Sequence, residues 1–426
     1  MSEAPARYKR NFILLVANYV TFSAGLVFFS SSTVMPVFLR HLTDSQPLIG
    51  FAAVLFPLNW MFPQLFAARW IAGRRRRKPF LVYASIGAPA AFGILAALMF
   101  LTDPTRAGWL LPTFMVIMTI LGLSDGFVGV PWLDFVGSAI PVTVRGRMMG
   151  LQDLLAAAAS VGVGAIVSYF LSERAPAFPR NFAWLATFGA LAYFIALLAF
   201  CFLRESASAG VTPSAPAWRD YVSALGRILG RDRVFVRLLA VRLLNGLGEL
   251  SLPFYVLYAT TSLGLPASVT GAFLATQMVA IAVGSMLLGV LYERYGSRLV
   301  VRLTTLIGIA APLLALLTPA LRLSGPALTV YFALVFVALG AGGLSSGALF
   351  IGYTNFVIDY CDPAERPLYL GLGNTLAGPT VLAATLGGWL LQHTSYAFLF
   401  TVTAGCLLLA LVPALRLPEP RRAAVR

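Results

Sequence analysis

The chain has 426 residues, 59% hydrophobic and 11% charged, with a net charge of +15 and a mean hydropathy of +0.84. That balance lies far from soluble domains and excludes one, because a chain this size cannot surround so many apolar helices with protein. It is an integral membrane protein.

A helix crossing ~30 Å of hydrocarbon needs ~20 apolar residues. In chain order, such tracts cover about 11–37, 47–71, 79–102, 109–136, 148–171, 182–203, 235–259, 267–292, 299–320, 326–354, 367–392 and 395–415. The first is too long for a signal-peptide core and no small-residue cleavage site follows it, so it is expected to stay as a helix. Twelve crossings put both termini on one side. Of the 31 Lys and Arg, only Arg40, Arg106, Arg174, Arg180 and Arg322 fall opposite, and Arg242 lies inside the seventh tract. Short basic loops stay cytoplasmic, so both termini are expected there. The basic excess, "RRRRKP" at 74–79 included, faces anionic lipid and serves topology; no folded domain presents it to nucleic acid. The 29 Arg against two Lys point to a GC-rich bacterial genome, and so to the bacterial plasma membrane.

The fourth tract holds "GLSDGF" (122–127), and the tenth holds "GLSSGA" (343–348). The offset of 221 residues recurs: Asp134-Phe135-Val136 meets Asn355-Phe356-Val357, Arg145 meets Arg366, and Gly150-Leu151 meets Gly371-Leu372. The fourth and tenth tracts are thus equivalent helices of two parallel halves. Between the halves lies the one long polar stretch, whose apolar positions from Trp218 to Leu229 recur at helical spacing with arginines elsewhere. It predicts a short amphipathic helix on the membrane surface. The fold class is therefore all-α: twelve transmembrane helices in two pseudo-symmetric six-helix bundles, 1–203 and 235–426, joined by a cytoplasmic linker at 204–234. Parallel repeats around a midplane site describe a carrier that alternates between two openings.

After the eighth tract comes "GVLYERYGSR", with Gly289, Glu293, Arg294, Gly296 and Arg298. This resembles the loop signature of the major facilitator superfamily, with Glu where Asp is usual. The resemblance implies a gating role: Gly296 allows a tight turn, and Glu293 pairs with a basic side chain or a helix N-terminus. The first half departs from the pattern, since Ala72 stands at the acidic position. The fourth helix carries Asp125 where proton-coupled members often have an arginine. The fifth helix lacks the Gly-Pro pair often seen in drug antiporters, whereas Gly378-Pro379 occurs in the eleventh. The resemblance also implies a cavity lined mainly by the first, fourth, seventh and tenth helices.

Intramembrane ionisable groups are costly and face wet or protein interiors. Asp125 is one candidate for substrate or coupling. Arg242, Asn245 and Glu249, at i, i+3 and i+7 of the seventh tract, predict a second group on one helical face. Counted along the helices, Asp125 lies ~22 Å from the outer end and Arg242 ~10 Å from the inner end, so an Asp125–Arg242 pair is expected. An ordinary interhelical network is the competing reading of both groups. Asn18, Thr21, Asn59, Gln277 and Asn374 read as glue between helices. Asp134 with Arg145, and Asn355 with Arg366, read as gate geometry. His41 and His393 fall in outer loops and are given no proton-relay role.

The function expected is secondary transport of a small molecule, as importer or exporter, with the proton one candidate for coupling. The chain is expected to act as a monomer in the bilayer, with no cofactor and no metal. A transporter fold kept as a sensor or scaffold is the alternative. An embedded enzyme is less favoured, because the two histidines lie far apart and Cys201, Cys361 and Cys406 follow no motif.

Overall fold

The computed structural model describes residues 3–61, 63, 78–205, 228–342, 350–361 and 365–420. Every regular element among them is helical, and nine helices there are long and apolar enough to cross a membrane. This suits a bilayer, where each backbone polar group must be satisfied within its own segment. The amphipathic stretch from Trp218, the Ala72 loop and the "GLSSGA" phrase lie outside the described residues, apart from the end of that stretch at Leu229.

The first tract, expected as one helix, is two: α1 (Glu3–Val27) and α2 (Val34–Arg40). The break falls at a run of hydroxyl residues. Ser30 meets Ser32 at 3.0 Å, and the Ser30 carbonyl accepts from Met35 N–H. Such local bonds compete with the helical ladder. α3 (Gln46–Met61) begins the second tract, and α4 (Lys78–Ser85) with α5 (Gly87–Leu101) forms the third. α6 (Leu110–Ala139), α7 (Val142–Phe170) and α8 (Arg180–Phe202) follow as single long rods.

The seventh tract is interrupted. α9 (Arg233–Gly246) gives way to a 3₁₀ turn at Leu247–Ser251, then to α10 (Phe254–Leu257) and a π turn at Tyr258–Ser262. Gly246, Gly248 and Pro253 mark the interruption. α11 (Val269–Tyr295), α12 (Ser297–Leu321) and α13 (Gly325–Gly342) are continuous, and α14 (Asn355–Tyr360) follows another π turn. The eleventh tract is α15 (Arg366–Ala377) and α16 (Ala383–His393) around a 3₁₀ turn that starts at Gly378-Pro379. α17 (Tyr396–Leu415) is last.

Packing gathers these helices into two units. One holds Met1–Asp44, Ala52–Pro213 and Pro266–Ala275; the other holds Ser45–Phe51, Ser214–Leu265 and Thr276–Arg426. The start of α3 thus packs with the second unit, and the start of α11 with the first. Their cores correspond. Phe135, Val136, Ile140 and Met148 are buried together in the first unit. Phe356, Val357, Cys361 and Tyr369, each 221 positions on, are buried together in the second.

Glycines allow the exchanged segments to dock. A Cβ on Gly271 would lie 2.1 Å from the Gly164 carbonyl oxygen, and one on Gly50 would lie 2.1 Å from that of Ala384. Positions 50 and 271 are again 221 apart, so the halves share this small-residue contact. Gly271→Val is expected to lower the melting temperature of the purified protein, at a cost of about 1–3 kcal/mol for overpacking. An unchanged midpoint would mean that the contact relaxes freely.

Asp232 fixes the start of α9. Its Oδ1 accepts from the backbone N–H of Val234 and Phe235 at 3.0 and 2.9 Å, which caps the helix. The same carboxylate accepts from the Tyr360 and Tyr369 hydroxyls, each at 2.9 Å. At the equivalent position of the first half, Asn11 grips the backbone of Arg204 at 2.8 and 3.0 Å.

Candidate functional site

α6 carries the "GLSDGF" phrase, and each polar or small residue in it has a separate task. Gly122 and Gly126 lie against α3, where a Cβ would come within 2.7 Å of the Phe56 carbonyl oxygen and 2.4 Å of that of Trp60. This close approach brings the Trp60 indole N–H to donate to the Asp125 carboxylate. Ser124 turns the other way, donating to the Ala84 carbonyl near the junction of α4 and α5. Asp125 is left half-buried at the wall of a cavity.

That cavity, within the first unit, measures about 300 Å³. α6 contributes Asp125, Val128, Gly129 and Trp132, and α8 contributes Tyr193, Ala196, Leu197 and Phe200. Both sets follow the i, i+3, i+4, i+7 spacing of one helical face. α1 adds Asn18, Tyr19 and Phe22, with Trp60, Ser85 and Ala88 completing much of the wall. Asn18 is committed, its amide donating to the Ala196 carbonyl at 3.0 Å. Tyr19 donates its hydroxyl to Asp153 of α7. The buried Tyr193 hydroxyl and Ser85 Oγ have no hydrogen-bond partner among the described residues. No Lys or Arg is among the described lining residues.

In the second unit Arg242 and Asn245 of the expected stripe both interact with Tyr353. Arg242 donates to Asn374 Oδ1 at 2.8 Å. Asn245 is buried and donates to the Thr305 hydroxyl at 2.8 Å and to the Tyr353 hydroxyl at 2.6 Å. Glu249 lies beyond the end of α9, on the 3₁₀ turn. The cavity beside Arg242 measures about 10 Å³, room for a single water. Asn374 and Asn18 thus work as interhelical glue, while Thr21 bonds its own helix at Ala17.

The loop signature closes α11 onto α12. Gly296 has φ +88°, and a Cβ there would lie 2.1 Å from Glu419 Oε1. Glycine is therefore required twice over, for conformation and for space. The buried Glu419 carboxylate sits at the N-terminus of α12, where an anion is favoured. Glu293 and Arg294 are exposed, Arg298 is half-buried, and nothing crowds Gly289. Tyr292 donates to both oxygens of Asp359 at 3.2 Å. Arg145 donates to the Ile140 and Gly137 carbonyls at the end of α6. Arg366 donates to the Cys361 carbonyl at the end of α14. These arginines are equivalent helix caps, since Ile140 and Cys361 are also 221 apart. Asn355 starts α14, and Asp134 lies in the penultimate turns of α6. Outside the spans, His41 stacks on Phe178 at 4.7 Å, and burial lowers its pKa.

Three residues escape the sequence reading: Asp153, Glu419 and Asp232. Asp153 stands 221 positions before Asn374, so the repeat offset itself was a signal for it. Glu419 lies beyond the twelfth tract, where no pattern marks it.

No curated protein matches the chain by sequence. The sequence profile of the Major Facilitator Superfamily matches residues 238–426. Among solved structures, a D-xylose–proton symporter aligns at TM-score 0.70 and 14% identity, covering 96% of this chain and 98% of its own. A variant of the nucleoside transporter NupG aligns at 0.69 and 14%, covering 96% and 99%. A bacterial homologue of the iron transporter ferroportin, in an inward-facing state, aligns at 0.69 and 15%, covering 96% and 98%. At these identities the structures show the fold, which is all-α with twelve transmembrane helices in two six-helix bundles. The profile match covers the second half of the chain, and over nearly its whole length the chain has the fold of these transporters.

Proposed function

We propose that the cavity around Asp125 is the solute site of a plasma-membrane carrier working by alternating access, with both termini cytoplasmic. The cavity itself is the supporting observation. It has about 300 Å³, with many apolar groups and few convergent polar ones, as small-molecule pockets do. The loop distribution of Lys and Arg supports the orientation. The working unit is a monomer whose partners are a small molecule and the bilayer, without metal, cofactor, nucleic acid or catalysis. Arg242 and Asn245 hold helices of the second unit in place through Asn374, Thr305 and Tyr353. The loop Gly289–Arg298 acts as the gate, with Asp134, Arg145, Asn355 and Arg366 at the helix ends that move with it.

Glu249 is assigned to coupling by protons, because it forms no hydrogen bond or ion pair with the described residues and sits where the helix is interrupted. Solute flux into liposomes holding the purified protein, under an imposed proton gradient, tests the whole reading. Flux no faster than in empty liposomes across a broad solute panel counts against transport. Glu249→Gln is expected to lose accumulation against a gradient while exchange persists. If the variant keeps the parent's uphill accumulation and pH dependence, Glu249 is structural.

A further inference from the structure

The cavity in the first unit has a definite chemistry. Its charge is one carboxylate, from Asp125, and no described lining residue balances it. Beside it stand two buried hydroxyls, on Tyr193 and Ser85, without hydrogen-bond partners among the described residues. A buried hydroxyl left unpaired is destabilising and calls for a partner. Aromatic rings share the wall with aliphatic side chains: Trp60, Trp132 and Phe22 line the same space. Aromatic faces attract cations, and a tryptophan face does so best.

We propose that this cavity binds an amphipathic organic ammonium ion, its N–H groups directed to Asp125, Tyr193 and Ser85 and its apolar body against the aromatic wall. The proposal rests on the transporter reading and names the substrate class of that site. Three acceptors on the residues of one cavity suit an amine carrying N–H bonds. A sugar needs several free amides or hydroxyls, yet the Asn18 amide is spent on Ala196. A carboxylate solute meets only like charge, which is costly in so apolar a space.

Three probes with the same body and different heads separate these cases: 4-phenylbutylamine, 4-phenylbutanol and 4-phenylbutanoate. Binding to the purified protein is measured by titration calorimetry, independently of flux. The amine is expected to bind about 30-fold tighter than the alcohol, as a desolvated charge pair implies, and the carboxylate weakest. Asp125→Asn removes the advantage of the amine over the alcohol. Tyr193→Phe, which keeps the ring, weakens the amine about tenfold and leaves the alcohol closer to its parent value, as one hydrogen bond to a charged group implies. Equal binding of the three heads, no amine binding at millimolar concentration, or an amine advantage that survives both substitutions overturns the proposal. Amine binding without amine flux leaves the site standing and removes transport of this class; flux of another solute without amine binding does the reverse.

Discussion

Asp125→Asn is expected to abolish net transport while the purified protein stays folded. The amide keeps the volume of the carboxylate, and its oxygen still accepts from the Trp60 indole. Only the charge is lost. A charged hydrogen-bonded partner of a desolvated cation contributes about 2–5 kcal/mol, so affinity should fall by at least about 30-fold. Flux in liposomes, set against the melting temperature of the same preparation, separates this from misfolding. Asp125→Ser places the residue of the second-half repeat, Ser346, in the first half; an active serine variant would reduce Asp125 to a packing residue.

The pairing of Asp125 with Arg242 read from helix depth is checked by the same variants. Each residue has a partner inside its own unit, Trp60 for Asp125 and Asn374 for Arg242. The stability losses of Asp125→Asn and Arg242→Gln are therefore expected to add. A double variant more stable than the sum would restore the pair.

Asp232→Ala carries the largest expected loss of stability. It removes a helix cap, about 1 kcal/mol. It also strips two tyrosine hydroxyls of a charged acceptor at 2.9 Å. The carboxylate is half-buried, so a total of about 2–4 kcal/mol is expected. Asp232→Asn keeps the cap and acceptor oxygen and should lose about half as much. Equal melting temperatures for the Ala and Asn variants would show that the tyrosine bonds contribute little. The effect reaches function through α9, which starts at this cap and carries Arg242 and Asn245.

Hydropathy was enough to read where the chain crosses the membrane, because burial in lipid is a property of composition. It could not read where a crossing helix breaks. The hydroxyl run at 30–33, the glycines around Glu249 and Gly378-Pro379 interrupt tracts that remain apolar throughout. For that reason Glu249, read at i+7 from Arg242, lies past the helix end at Gly246, on a 3₁₀ turn, while Arg242 and Asn245 stay together beside Tyr353. Asp125 was legible as an acid in hydrocarbon, but Trp60 was not legible as its partner. That contact depends on two glycines letting one backbone close on another, a three-dimensional fit with no linear spacing. Asp153 was within reach of the 221-residue offset, though its bond to Tyr19 was not.

The exchanged segments bear on how the protein is made. The first bundle takes Pro266–Ala275 as part of its own packing, and the second takes Ser45–Phe51. A ribosome that has delivered the first six tracts has therefore not delivered the whole first bundle. The face of α7 around Gly164 stays open to lipid until about sixty further residues emerge. Halves expressed as separate polypeptides would each present a bare small-residue groove and lack the strip that fills it. They should survive in the membrane together and be cleared by quality control when made alone.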